Sequence, residues 1–154
     1  MEANDNFMKQ ALREATKAYH KEEVPIGAVI VKDNKIIARA HNLRETTKQA
    51  CSHAEILAIQ KACKKMDAWR LEGCKMYVTL EPCPMCAGAI INARIGELYI
   101  GAMDPKGGAV GSKLNLLMDY KFNHTVKVYQ KICEKECSEI LKSFFKELRK
   151  KKLD

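Results

Sequence analysis

The chain has 154 residues, of which 47% are hydrophobic and 30% charged, and its 27 Lys+Arg against 19 Asp+Glu give a formal charge of +8. That length fits a single domain over residues 1–154, long enough to bury a core without staples. The composition excludes disorder and collagen-like repeats, no run of about 18 apolar residues exists to span a membrane, and the positive balance admits a polyanionic partner.

From Asn6 to Tyr19, Phe7, Ala11, Leu12, Ala15 and Ala18 recur at three- and four-residue steps, the spacing of an amphipathic helix. The segment Met1–Gln10 carries Glu2 and Asp5 and no apolar stretch, so no secretory signal is expected and a cytoplasmic location is. The β-branched run Val24–Val31, the turn at Asp33-Asn34 and the run Ile36–Ala40 predict a two-stranded hairpin. His41 to Gln49 is polar and reads as a loop. Residues 53–66 turn helical, with Ile56, Ile59, Ala62, Cys63 and Met66 on one stripe. Met76–Leu80 is a strand candidate. Pro84–Ala93 is apolar almost all round, as suits a helix buried against a sheet. Ile95–Ile100 and Thr125–Tyr129 predict two more strands, and Glu134–Lys150 a last helix with Ile140, Leu141, Phe144, Phe145 and Leu148 on one face. Alternating helices and strands make an α/β layered fold, and the initial hairpin means that its sheet is not all parallel.

Seven cysteines are many for a cytosolic domain, but an odd count and irregular spacing argue against a disulfide framework. Two short segments carry the chemistry: Ser52-His53-Ala54-Glu55 and Glu81-Pro82-Cys83-Pro84-Met85-Cys86. A Cys-x-x-Cys pair at a helix start places both sulfurs on one side, where the exposed N–H groups favour thiolate. Pro84 suits the first helical turn, where no N–H is needed. If the helix that His53 opens lies beside it, one imidazole and two thiolates make three ligands to Zn²⁺. That leaves a fourth position for water, the catalytic arrangement. Glu55, two residues beyond His53, is then the proton carrier, taking a proton from water and handing it to a leaving group. A site whose two thiolates offset the dication acidifies water weakly, which makes a separate base more necessary.

Other readings of the same residues stand beside this one. Ser52-x-x-Glu55 fits a capping box. Cys83-x-x-Cys86 fits a redox pair, or half of a structural zinc site completed by Cys51, Cys63 or Cys74. The combination of His-x-Glu, a gap of about 27 residues and Pro-Cys-x-x-Cys is a known signature of zinc nucleobase deaminases.

At this point the sequence resembles the bacterial tRNA-specific adenosine deaminases. The likeness runs through Glu23-Val24-Pro25-Ile26-Gly27-Ala28, His53-Ala54-Glu55-Ile56, Tyr77–Cys83, Met85–Ile90, the Gly101–Gly108 segment, Asn123-His124 and the Phe144-Phe145 helix. It covers roughly residues 6–150. The resemblance implies a three-layer α/β/α cytidine-deaminase-like fold, with a mixed sheet of about five strands and helices on both faces. It implies one zinc per subunit on His53, Cys83 and Cys86, and Glu55 as catalytic proton shuttle. The reaction it implies is conversion of adenosine to inosine, with ammonia released, at the wobble position of a tRNA anticodon stem-loop. Asn42 matches the family's base-contacting asparagine, and Asp104 and Lys106 would flank the flipped nucleotide. It also implies a homodimer. Two departures are visible: Cys51-Ser52 stands where the family usually has Pro-Thr, and Thr125 where it often has Arg.

The C-terminal tail points independently to nucleic acid. Residues 142–154 carry Lys142, Lys146, Arg149, Lys150, Lys151 and Lys152 against Glu147 and Asp154, a net +4 that is half the chain's excess. Arg149 and Lys150 are therefore candidate RNA contacts, although cations also suit a helix C-terminus. Two rival functions remain at this level: a deaminase of a free base or nucleoside, and a zinc-stabilised RNA-binding module in which Glu55 is a ligand or a cap.

Overall fold

In the computed structural model, which describes residues 2–119 and 122–153, the alternation along one strand decides the architecture. Strand β1 (Gly27–Lys32) sends Val29 and Val31 into a cluster with Met8, Ala11, Tyr77, Tyr99 and Cys137. Its Ala28 and Ile30 face the other way, into the larger cluster with Ala54, Ala58, Met76, Val78, Ile90 and Leu98. A strand that buries both faces belongs in the middle of a sheet. Around it lie β2 (Lys35–His41), β3 (Cys74–Leu80), β4 (Glu97–Ala102) and β5 (Lys127–Tyr129), in the order β2-β1-β3-β4-β5. β1 is antiparallel to both β2 and β3, whereas the β3–β4 and β4–β5 pairs are parallel. Helices α1 (Glu2–His20) and α5 (Glu134–Leu153) cover one face. Helices α3 (Ala54–Met66) and α4 (Pro84–Asn92) cover the other. This is the expected three-layer α/β/α arrangement with a mixed five-stranded sheet.

Local departures have local causes. The first strand starts at Gly27 rather than Val24, because Pro25 has no N–H and the Ile26 N–H folds back on the Val24 carbonyl at 2.9 Å. Gly27 is then where α1 crosses closest: a Cβ there would collide with the Ala11 carbonyl and the Ala15 nitrogen. The segment 41–49, read as a loop, contains a one-turn helix, α2 (Arg44–Thr47). Its first amides are held by the buried Glu23, whose carboxylate accepts from the N–H of Glu45 at 3.0 Å and Thr46 at 2.6 Å, and from Thr46 Oγ1 at 2.6 Å. A carboxylate supplied from 22 residues upstream leaves no local capping signal.

Two apolar stripes also shift. On α3 the buried residues are Ala54, Glu55, Ala58 and Ala62, and Ile56 stays outside the core, since small side chains let the helix sit close to the sheet. On α5, Cys137 and Phe144 are buried but Phe145 is 40% exposed and Leu148 37%. Phe144 meets Tyr19 of α1 edge-on, which turns its neighbour outward. α4 is not enclosed all round either: Met85 is exposed and a Cβ on Gly88 would meet open space.

Tyr77, Tyr99 and Tyr129 stack across three adjacent strands, with ring centroids 4.4 and 4.7 Å apart. Trp69, on the turn between α3 and β3, is 58% exposed, with the Arg70 and Arg94 guanidinium carbons 4.9 and 5.7 Å from its ring. No described helix is long and apolar enough to cross a membrane.

Candidate active site

The C-terminal end of β3 runs directly into the start of α4, and the start of α3 lies beside it, so two helix N-termini converge. His53 is the N-cap of α3 and Cys83 the N-cap of α4, with Pro84 next in the first turn. The His53 ring makes no bond to its own helix, which leaves its nitrogen for other partners, and the Cys83 sulfur turns toward Cys86. His53 Nδ1 lies 3.6 Å from Cys83 Sγ and 3.5 Å from Cys86 Sγ. All three ligand atoms fall within 4.8 Å of one another, and this is a cluster able to hold a metal ion. Tetrahedral zinc, with nitrogen at about 2.0 Å and sulfur at about 2.3 Å, keeps N and S about 3.5 Å apart. The observed spacing fits that ion.

The charge on Cys83 fits too. Hydrogen bonding from the Cys86 thiol, helped by the His53 ring, overcomes burial and brings the Cys83 thiol down to about 4. Cys86 moves the opposite way, through the same bond to Cys83, its burial and the nearby Glu55. The hydrogen bond to Cys83 raises the His53 ring against the effect of its burial, and Glu55 adds to the rise. Burial pushes Glu55 itself up to about 7, with the Cys83 charge adding to the rise and the His53 charge opposing it. Glu55 is 4% exposed. Elsewhere burial raises the thiols of Cys63, Cys74, Cys133 and Cys137, the last to about 12.

Two of the competing local readings, the capping box and the four-ligand structural zinc site, find no support here. Ser52 does not cap α3; its Oγ accepts from Thr47 Oγ1 at 2.8 Å, and His53 holds the cap position. Cys63 Sγ is 3.7 Å from the Trp69 carbonyl and Cys74 Sγ 3.9 Å from the Met66 sulfur, while Cys51 is exposed. None of the three joins the His53 cluster.

His53 opens onto a cavity of about 860 Å³. Asn42, Asp104, Lys106 and Arg149 all line it; Lys150 does not and lies on the exposed side of α5. Asn42 is 5% exposed, donates its amide to the Val24 carbonyl at 3.3 Å and accepts the Arg44 N–H on Oδ1 at 3.1 Å. Asp104 Oδ1 accepts the N–H groups of Lys106 at 3.1 Å and Gly107 at 3.2 Å, so it also shapes its own turn. Besides the expected Arg149, the cavity has a wall absent from the sequence-based expectation: Ser138, Leu141, Lys142 and Phe145 face it from the same helix, α5. The four-residue spacing of Leu141, Phe145 and Arg149 carried that signal, but the apolar members looked like core.

Residues 2–149 match the MafB19-like deaminase family. Over 152 residues the chain is 54% identical to the tRNA-specific adenosine deaminase of Bacillus subtilis, covering 99% of this chain and 94% of the relative. A solved structure from studies of A-to-I editing by tRNA:A34 deaminases at the wobble position of transfer RNA is 48% identical, with a TM-score of 0.85 over 88% of this chain and 99% of that one. A guanine deaminase structure from Bacillus subtilis is less similar, at 36% identity and a TM-score of 0.63 over 81% and 83% of the two chains. The chain belongs to the MafB19-like deaminase family and, within it, to the tRNA-specific adenosine deaminases.

Proposed function

We propose that this protein hydrolyses adenosine to inosine at the wobble position of a tRNA anticodon, as a cytoplasmic homodimer with one zinc per subunit. The observation that carries the reading is the convergence of His53, Cys83 and Cys86 on one point, near a buried Glu55, with His53 lining a cavity whose walls bear Arg44, Lys106, Lys142 and Arg149. His53, Cys83 and Cys86 would hold the zinc, which would supply Lewis acidity able to activate water at neutral pH.

The residues of the chain do the rest. A carboxyl poised near 7 both accepts and returns a proton at physiological pH. Glu55 Oε is therefore the station for the proton that leaves the attacking water and passes to the departing amine. Water adds at C6, the C6–N bond breaks, ammonia leaves and a C6 carbonyl remains. Asn42, with an amide that both donates and accepts, faces the cavity where a purine edge would sit. The cationic walls suit the phosphates on either side of the flipped nucleotide, and such contacts place the RNA without acting on C6. Dimer formation is supported by the exposed Met85 and the open space beside Gly88 on α4.

The decisive experiment incubates the purified protein with tRNA and reads the anticodon after reverse transcription. Conversion of the wobble adenosine to a base read as G is expected. An unconverted adenosine together with turnover of free guanine or a free nucleoside would overturn the reading.

A further inference from the structure

Glu81 stands two residues before Cys83, is 3% exposed and takes no part in the metal cluster. A buried carboxylate must be matched by donors or it destabilises the fold. Here every donor comes from a single loop. Glu81 Oε1 accepts the Asp104 N–H at 2.8 Å; Oε2 accepts the N–H of Val110 at 2.9 Å and Ser112 at 3.0 Å; and the Ser112 hydroxyl donates to Oε1. The backbone follows the same path, with Glu81 N–H on the Ala102 carbonyl at 2.8 Å and Ala109 N–H on the Pro82 carbonyl at 2.9 Å. Gly108 lies so close that a Cβ there would collide with all three atoms of the Glu81 carboxylate. The loop is thus wrapped around one side chain, and its outer turn carries the cavity residues Asp104, Pro105 and Lys106.

We propose that Glu81 is a positioning residue: its carboxylate fixes the 103–112 loop so that Asp104 and Lys106 form the cavity wall against which the substrate binds, and it thereby sets substrate affinity. The inference rests on the deaminase reading for its substrate. Glu81 touches neither the reacting atoms nor the metal ligands. Its loss removes binding shared by ground state and transition state, which raises KM and leaves kcat nearly unchanged. Glutamine at this position offers one acceptor and turns two N–H groups toward amides that need acceptors.

Three measurements on the zinc-loaded protein test this. In Glu81→Gln, KM for an anticodon stem-loop should rise about ten-fold or more, with kcat held within about three-fold and zinc content unchanged. Hydrogen exchange at the Asp104, Val110 and Ser112 amides should accelerate. Gly108→Ala, which displaces the carboxylate from the other side, should repeat both effects, and the double variant should be no worse than the worse single. If Glu81→Gln does not fold, Gly108→Ala decides alone. An unchanged KM with unchanged exchange at those amides overturns the proposal, as does loss of zinc with a fall in kcat, since Glu81 would then serve the Cys83 turn. Wild-type protein that makes no inosine would refute the substrate reading instead, and the exchange measurement would still report whether Glu81 holds the loop.

Discussion

His41 Nδ1 lies 3.0 Å from Glu14 Oε1, joining the end of β2 to the buried face of α1 one residue before Asn42. Lys21 Nζ stands 3.0 Å from His41 Nε2, so Nε2 accepts and Nδ1 donates to the carboxylate. Lys17 Nζ is 2.7 Å from the second Glu14 oxygen. Burial works against the Glu14 charge, yet the bonds from His41 and Lys17 outweigh it and hold the carboxyl below its ordinary 4.5. A depressed carboxylate pKa contributes stability above the unfolded-state value, and that contribution is lost as pH falls through the folded-state value. Glu14→Gln should therefore be less stable than wild type by about 1–3 kcal/mol at pH 7. Denaturant melts at a series of pH values should show the gap closing below pH 4.5; a gap that widens in acid contradicts the arrangement.

The proposed metal ligands His53, Cys83 and Cys86 join two helix starts, so a bound ion should contribute to stability as well as chemistry. Purified protein should contain about one zinc per chain. Cys83→Ala should lack it and melt lower by about 5 °C or more, and a chelator should lower the wild-type melting temperature without moving that of the variant. A full zinc complement in Cys83→Ala would remove Cys83 from the ligand set.

Glu55→Gln keeps size and helix propensity but removes the proposed proton carrier. Zinc and tRNA should still bind, while inosine formation falls about 10²-fold or more. Normal turnover in this variant would leave Glu55 with a structural role only.

The basic end of α5 divides into separate jobs. Arg149 faces the cavity, whereas Lys151 pairs with Glu22, just past the end of α1, at 3.0 Å on a largely exposed surface. An exposed pair of that kind yields readily to a phosphate. Replacing Lys150, Lys151 and Lys152 with Gln should weaken tRNA binding. It should also flatten the dependence of log affinity on log salt by about 0.7 for each phosphate that is no longer neutralised, with zinc content unchanged. Titrations at several salt concentrations measure this, and an unchanged slope means that the lysines are merely solvated.

Much of this was legible from residue order, because the informative signals are local. Alternation along Val29–Val31 and periodicity along α1 and α5 report elements that satisfy themselves. His53, Glu55, Cys83 and Cys86 could be picked out because short spacings at two helix starts bring ligand atoms to one side. What stayed hidden depends on distant partners. The helix α2 is held by Glu23 from another segment, and the turn of Asp104 by Glu81. The Leu141–Phe145–Arg149 stripe has the periodicity of core yet faces a cavity. Period alone gives the side of a helix that is covered, not what covers it.

Trp69 is the only tryptophan, and it lies outside both cores, flanked by two guanidinium groups. Its fluorescence is therefore a reporter for one surface turn, at the end of β3 away from His53, rather than for the melting of the interior. An unfolding curve followed at tryptophan wavelengths tracks the α3–β3 connection, while the stacked tyrosines of β3, β4 and β5 track the sheet itself. Comparing the two signals on one sample tells whether that turn unfolds with the rest of the molecule or comes loose first.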